Sequence, residues 1–114
     1  MISKELQNLL LQYCEPENEL LQHIDRETNL KVLMPHMLSG HYQGRVLSML
    51  SKMANPKRFL EIGTFTGYAT LCLAEGLTPD GIIYTLDINA ELEEMVRGNF
   101  AKSPLNEKIK NIIG

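Results

Sequence analysis

At 114 residues, 44% of them hydrophobic, the chain is long enough for one core of modest size and too short for two. Eleven basic against fourteen acidic side chains give a net charge of −3 with no cluster of Lys and Arg, which does not favour a nucleic-acid surface. No apolar run approaches the roughly 20 residues of a membrane span, the N-terminus has no signal-peptide pattern, and Cys14 and Cys72 form no spaced framework, all of which suits a reducing cytoplasm.

Leu6, Leu9, Leu10 and Tyr13 recur at helical spacing behind Ser3, a capping residue, and predict a first helix over 3–13. Pro16 suits the first turn of a second helix that carries Leu20, Leu21 and Ile24. Residues 30–42 lack a sustained period and read as a loop. A third helix is expected from Gln43 to Met53, with Val46, Leu47, Leu50 and Met53 on one stripe, and Asn55-Pro56 ends it. A strand (58–62), a helix (67–77), a Thr78-Pro79-Asp80-Gly81 turn, a strand (82–87) and a helix (90–102) follow. Lys108 to Gly114 reads as a third strand. Strands alternating with helices of this length imply an α/β fold, a parallel sheet with right-handed crossovers.

The candidate site lies where the first strand ends. Phe59-Leu60-Glu61-Ile62-Gly63-Thr64-Phe65-Thr66-Gly67-Tyr68 runs from an apolar strand through two glycines into an apolar helix, and Asp87 stands twenty residues beyond Gly67 at the end of the next strand. Glycines at 63 and 67 let the turn take unusual dihedrals and bring backbone close to a ligand. The dinucleotide fingerprint Gly-x-Gly-x-x-Gly would have glycine where this chain has Glu61, and a third glycine that it lacks. A carboxylate there repels a pyrophosphate and attracts an ammonium group, so the spacing points to a ligand with a cationic amino acid end and a ribose. S-adenosylmethionine fits, with Asp87 on the ribose hydroxyls and Ile88 along the adenine face. His36 and His41, five residues apart with no third ligand, do not make a recognisable metal site.

From about Val32 to Gly114 the chain resembles the N-terminal half of a class I, S-adenosylmethionine-dependent O-methyltransferase of the caffeoyl-CoA and catechol O-methyltransferase-like group. The resemblance rests on Leu60 to Tyr68, on Gly81-Ile82-Ile83-Tyr84-Thr85-Leu86-Asp87, and on Met37-Leu38-Ser39-Gly40 with Gln43-Gly44 upstream. It implies a Rossmann-like fold, of which this chain would carry the N-terminal helices and the first β-α-β-α-β half of the sheet. Residues 1–57 would then be a helical cover with a cofactor and substrate loop, and 58–114 the first half of the cofactor-binding domain, all in one structural domain. It further implies that Glu61 and Gly63 meet the methionine end, that Phe65, Gly67 and Tyr68 shape the turn, and that Met37 and Ser39 close over the methionine moiety. Ala69 stands where many relatives have a serine that binds the cofactor carboxylate, so backbone N–H groups or Thr70 would take over that contact.

Relatives of this kind run to about twice this length, within the upper range for one domain. The resemblance therefore places the catalytic and metal-binding residues beyond Gly114, with a divalent cation, magnesium, expected only in the full-length family member. No catalytic or metal residue is assigned to this chain. The implied reaction is methyl transfer to a hydroxyl of a small catechol-like or phenolic acceptor. Three alternatives stay open at this level: a transfer RNA uridine as acceptor, a nicotinamide-binding half-domain, and a non-catalytic binding or oligomerisation module. A first strand left unpaired on one side invites a homodimer.

Overall fold

The computed structural model describes residues 3–31 and 40–114. Three helices come first: α1 (Lys4–Tyr13), α2 (Glu19–Lys31) and α3 (Gly40–Ala54). Then β1 (Arg58–Ile62), α4 (Tyr68–Ala74), β2 (Ile82–Asp87), α5 (Glu93–Ala101) and β3 (Ile109–Ile113) alternate. Single turns of 3₁₀ helix, Ala90–Leu92 and Asn106–Lys108, precede α5 and β3.

Capping explains where the first helices begin. The Ser3 hydroxyl accepts from the Leu6 N–H at 3.2 Å, so α1 starts as its sequence suggests. The second helix does not begin at Pro16. Asn18 Oδ1 accepts from the Leu21 N–H at 2.8 Å, which fixes the start of α2 three residues after the proline. α2 continues through Lys31 and α3 begins at Gly40, so both reach into the segment expected to be a loop. Residues 32–39, which include Met37 and Ser39, lie outside the described residues.

The expected apolar stripe of α3 is buried only in part: Leu47 packs against the core. Leu50 and Met53 are exposed, whereas Gly44, Ser48 and Ser51 are buried against α4. Small residues win because the two helices approach closely. A Cβ at Gly44 would sit 2.8 Å from both Cys72 Sγ and Tyr68 Cε1. One at Gly76, in the turn after α4, would fall 2.3 Å from the carbonyl carbon of Ser51. The Ser51 hydroxyl donates to the Leu73 carbonyl at 2.6 Å, whereas the buried Ser48 hydroxyl of the same seam has no hydrogen-bond partner among the described residues. α4 itself stops at Ala74 instead of running to 77, and the Gly76 and Leu77 N–H groups make tight-turn bonds back to Leu73 and Ala74.

The sheet is parallel with order β1-β2-β3. Strands added one after another in the same direction, with right-handed crossovers, keep both connecting helices on one face. Burial agrees. Phe59, Ile83 and Ile109 stand abreast in register on the covered face and join a core with Leu21, Ile24, Leu71, Val96 and Phe100. Leu60 and Ile62 on the opposite face are 61% and 82% exposed, with Tyr84 and Ile112 beside them. The sheet is thus a two-layer structure on one side and bare on the other. Leu21 and Ile24 of α2 share one core with Tyr68 and Cys72 of α4, so the helical cover and the sheet are packed as a unit.

Gly76→Ala should lower stability by about 2 kcal/mol or more, because its methyl group meets α3 backbone that cannot rotate away. Gly98→Ala, within α5 and with nothing inside 4 Å of the new atom, should raise it by roughly 0.5–1 kcal/mol. Urea unfolding of the two variants beside the parent chain measures both.

Candidate functional site

The end of β1 turns Glu61 toward the covered face, where it lies abreast of Thr85 on β2. Its Oε1 accepts two hydroxyls, Thr85 Oγ1 at 2.7 Å and Thr70 Oγ1 from the first turn of α4. Because the single Thr85 proton goes to Glu61, Thr64 must be the donor in its 2.6 Å contact with Thr85. Burial pushes the Glu61 carboxyl above the usual range, the two hydroxyls pull it back in part, and the nearby Asp87 charge adds to the rise. Oε2 has no hydrogen bond among the described residues. Arg58, a candidate partner for Glu61 by sequence proximity, points from the other face of β1 and donates to the Lys57 carbonyl at 2.9 Å.

The bend after β1 takes three left-handed residues, Gly63 (φ 96°), Phe65 (φ 52°) and Gly67 (φ 92°). Phe65 is the costly one, since a side chain at positive φ is strained. It is held by Asp87, whose Oδ2 accepts the Phe65 N–H at 2.9 Å while Oδ1 accepts the Asn89 N–H at 3.0 Å. Burial works against the Asp87 charge, but these backbone donors outweigh it and hold the carboxyl below its ordinary value. On the other flank Asn99 of α5 donates to the Thr66 carbonyl at 2.9 Å, and the Thr66 and Thr28 hydroxyls share a 3.0 Å bond.

The two glycines do different work. Among the described residues a Cβ on Gly63 would meet nothing within 4 Å, so backbone is open to a ligand there. One on Gly67 would fall 2.5 Å from Phe100 Cε1, so this glycine admits the α5 aromatic on its side-chain side. Tyr68 is buried and its hydroxyl donates to Glu17 Oε2, which together with burial drives the phenol pKa up and locks α4 to the segment before α2. Thr70 is fully buried with its hydroxyl on Glu61, so it does not stand in for the serine that Ala69 replaces.

Glu61, Gly63, Phe65 and Asp87 therefore converge at the carboxyl tips of β1 and β2, with Ile88 beside them at 85% exposure. Gly67 and Tyr68 support the bend from behind, and Ala69 is half-buried. The threonine chain and the Asn99 clamp went unread in the sequence, although Thr64, Thr66 and Thr85, each within five residues of a carboxylate tip, were the available signal.

Parallel strands, a glycine bend and two strand-tip carboxylates define the nucleotide-binding half of a Rossmann-like α/β domain. Residues 12–114 match the family model described as O-methyltransferase, and the chain belongs to that family. It is 40% identical over 96 residues to caffeoyl-CoA O-methyltransferase 2 of Petunia hybrida, covering 84% of this chain and 38% of that protein. It is 30% identical over 81 residues to a catechol O-methyltransferase of Mycobacterium tuberculosis, covering 71% of this chain and 37% of that one. The solved O-methyltransferase from Bacillus cereus, in complex with SAH, superposes with a TM-score of 0.87 at 25% identity over 96% of this chain and 50% of its own. TomG of Streptomyces achromogenes shares the fold at a TM-score of 0.88. The chain thus spans well under half the length of these curated relatives and about half that of the solved ones.

The two carboxylates should respond to pH in opposite senses. Glu61 has a raised folded pKa, so the folded state loses stability as pH climbs from the ordinary value of 4.5 through the raised one. Glu61→Gln keeps an oxygen for both threonines and removes that loss, so above this window it should be more stable than the parent by on the order of 1 kcal/mol. Asp87 contributes stability present above its ordinary value of 3.8 and lost as pH falls through the lower folded value. Asp87→Asn, able to accept at one oxygen only, should cost on the order of 1 kcal/mol at pH 7 and progressively less in acid. Urea titrations at a series of pH values test both signs.

Proposed function

We propose that this chain is the cofactor-binding half of an S-adenosylmethionine-dependent O-methyltransferase. The observation that carries the reading is the pair of carboxylates at neighbouring strand tips, flanking a glycine over which no side chain stands. The residues fit the cofactor. Asp87 stays ionised and its oxygens, each already accepting one N–H, keep further lone pairs for two ribose hydroxyls. Oε2 of Glu61 faces the methionine ammonium, Gly63 and Phe65 present backbone, and Ile88 covers an adenine face. Ala69 leaves the cofactor carboxylate to backbone N–H groups. The family resemblance assigns Met37 and Ser39, outside the described residues, to the methionine side.

When bound, the cofactor supplies a sulfonium whose methyl group is open to an oxygen nucleophile. The chain's own residues bind and orient it: Asp87 fixes the ribose end, Glu61 the amino acid end, and the stiff bend between them sets the distance. Rigid positioning of the donor is what an in-line transfer needs from this half. Caffeoyl-CoA and catechol in the relatives' names favour a small phenolic or catechol-like acceptor. Among the described residues no group of three or more His, Cys, Asp and Glu is placed to hold a metal ion, and no helix is long and apolar enough to cross a membrane. A magnesium site and the acceptor pocket are assigned to the further half that relatives of full length possess.

Calorimetry with S-adenosylhomocysteine should give saturable binding, with none for NAD. Asp87→Ala should weaken it about tenfold or more, the loss expected for hydrogen bonds to a charged acceptor. NAD binding equal to or tighter than that of the nucleoside sulfide would overturn the reading.

We also propose that the chain self-associates as a homodimer through the edge of β1, which pairs with no second strand beyond β2 among the described residues, with Leu60 and Ile62 exposed on the adjoining sheet face. Sedimentation should show a dimer that Ile62→Lys dissociates. A monomer at every concentration excludes it.

A further inference from the structure

Outside the strand-tip site, a groove of about 690 Å³ opens on the helical side, within the size range of small-molecule sites. It lies between the start of α2, the end of α3, the outer side of α4 and the 102–105 connection from α5 to β3. It shares no lining residue with the cleft at Glu61 and Asp87. Its apolar lining comes from Leu20, Leu21, Leu71, Pro104 and Leu105.

The polar side chains around it sort by what they already do. Asn18 caps α2 through the Leu21 N–H at 2.8 Å, and Ser103 accepts the Leu105 N–H at 3.0 Å. Glu75 is held by both terminal nitrogens of Arg45, at 3.2 and 2.6 Å, so its charge is matched within the protein. Lys52, Lys102 and Glu19 are left. Lys52 makes no ion pair among the described residues, and Lys102 donates to His23 Nε2 at 3.1 Å, which leaves further N–H donors and its full charge. Two ammonium groups against one carboxylate, around an apolar surface, complement a ligand with a hydrocarbon body and an anionic head.

We propose that this groove is a binding site for a small amphipathic oxyanion, its apolar body along Leu20, Leu71 and Leu105 and its head at Lys52 and Lys102. The head is a carboxylate or a phosphate monoester, which share this chemistry.

The probes are decanoate, decyl phosphate, decanol and decylamine, titrated into the ¹⁵N-labelled full chain below their micelle concentrations. Decanoate or decyl phosphate should shift the amides of Leu20, Leu71 and Leu105 saturably, with a Kd at or below about 1 mM, and the tighter of the two names the head group. Decanol should bind about tenfold more weakly and decylamine more weakly still. Lys52→Glu and Lys102→Glu, both at exposed positions, should each weaken the anion, and Glu19→Lys should tighten it. The proposal fails if neither anion gives saturable shifts, if decanol matches them, or if charge reversal changes nothing. It fails equally if the shifts map to Leu60 and Ile62, since the bare sheet face would then be the site of a non-specific apolar contact.

Discussion

The arrangement of this chain depends on how two strand-tip carboxylates are kept in opposite electrostatic conditions a short distance apart. Glu61 is drawn under α4, where burial resists its charge and two threonine hydroxyls partly restore it. Asp87 stands further out, fed by backbone N–H groups that favour its ionised form. One carboxylate is therefore adaptable in protonation and the other is fixed. That contrast follows from strand register: Glu61 faces the covered side beside Thr85, whereas Asp87 lies at the very end of β2, where the bend after β1 crosses it.

Asp87 also couples the two βα units. It closes the bend that follows β1 by accepting from Phe65, and it starts the connection to α5 by accepting from Asn89. Asn99 returns from α5 to the same bend at Thr66. A residue at positive φ, without the freedom of glycine, is thus fastened from two elements distant in sequence. The bend is shaped before any ligand arrives, and its shape is set by side chains that are not part of it.

Much of this was readable in the sequence. The strand boundaries at 58–62 and 82–87 agree with the structure, as do the Ser3 cap, the buried Cys72 and the family itself. These depend on local pattern: alternation of apolar runs with turns, and a motif whose spacing is chemical. What was not readable depended on approach between elements. The α3 stripe of Leu50 and Met53 has helical period, yet the buried seam is Gly44, Ser48 and Ser51, because only small side chains fit at the distance that Gly76 imposes. The side-chain side of Gly67 is likewise filled by Phe100, an approach that local pattern does not show. The start of α2 at Glu19 turned on Asn18 competing with Pro16, two equally reasonable signals that local sequence does not rank.

The one-sided sheet has a thermodynamic consequence. The heat capacity gained on unfolding scales with the apolar area that becomes hydrated, and Leu60, Ile62 and Ile112 are already in contact with water in the folded monomer. Their exposure removes part of the usual increment, so the stability curve of the isolated chain is flatter than that of a globular domain of equal length.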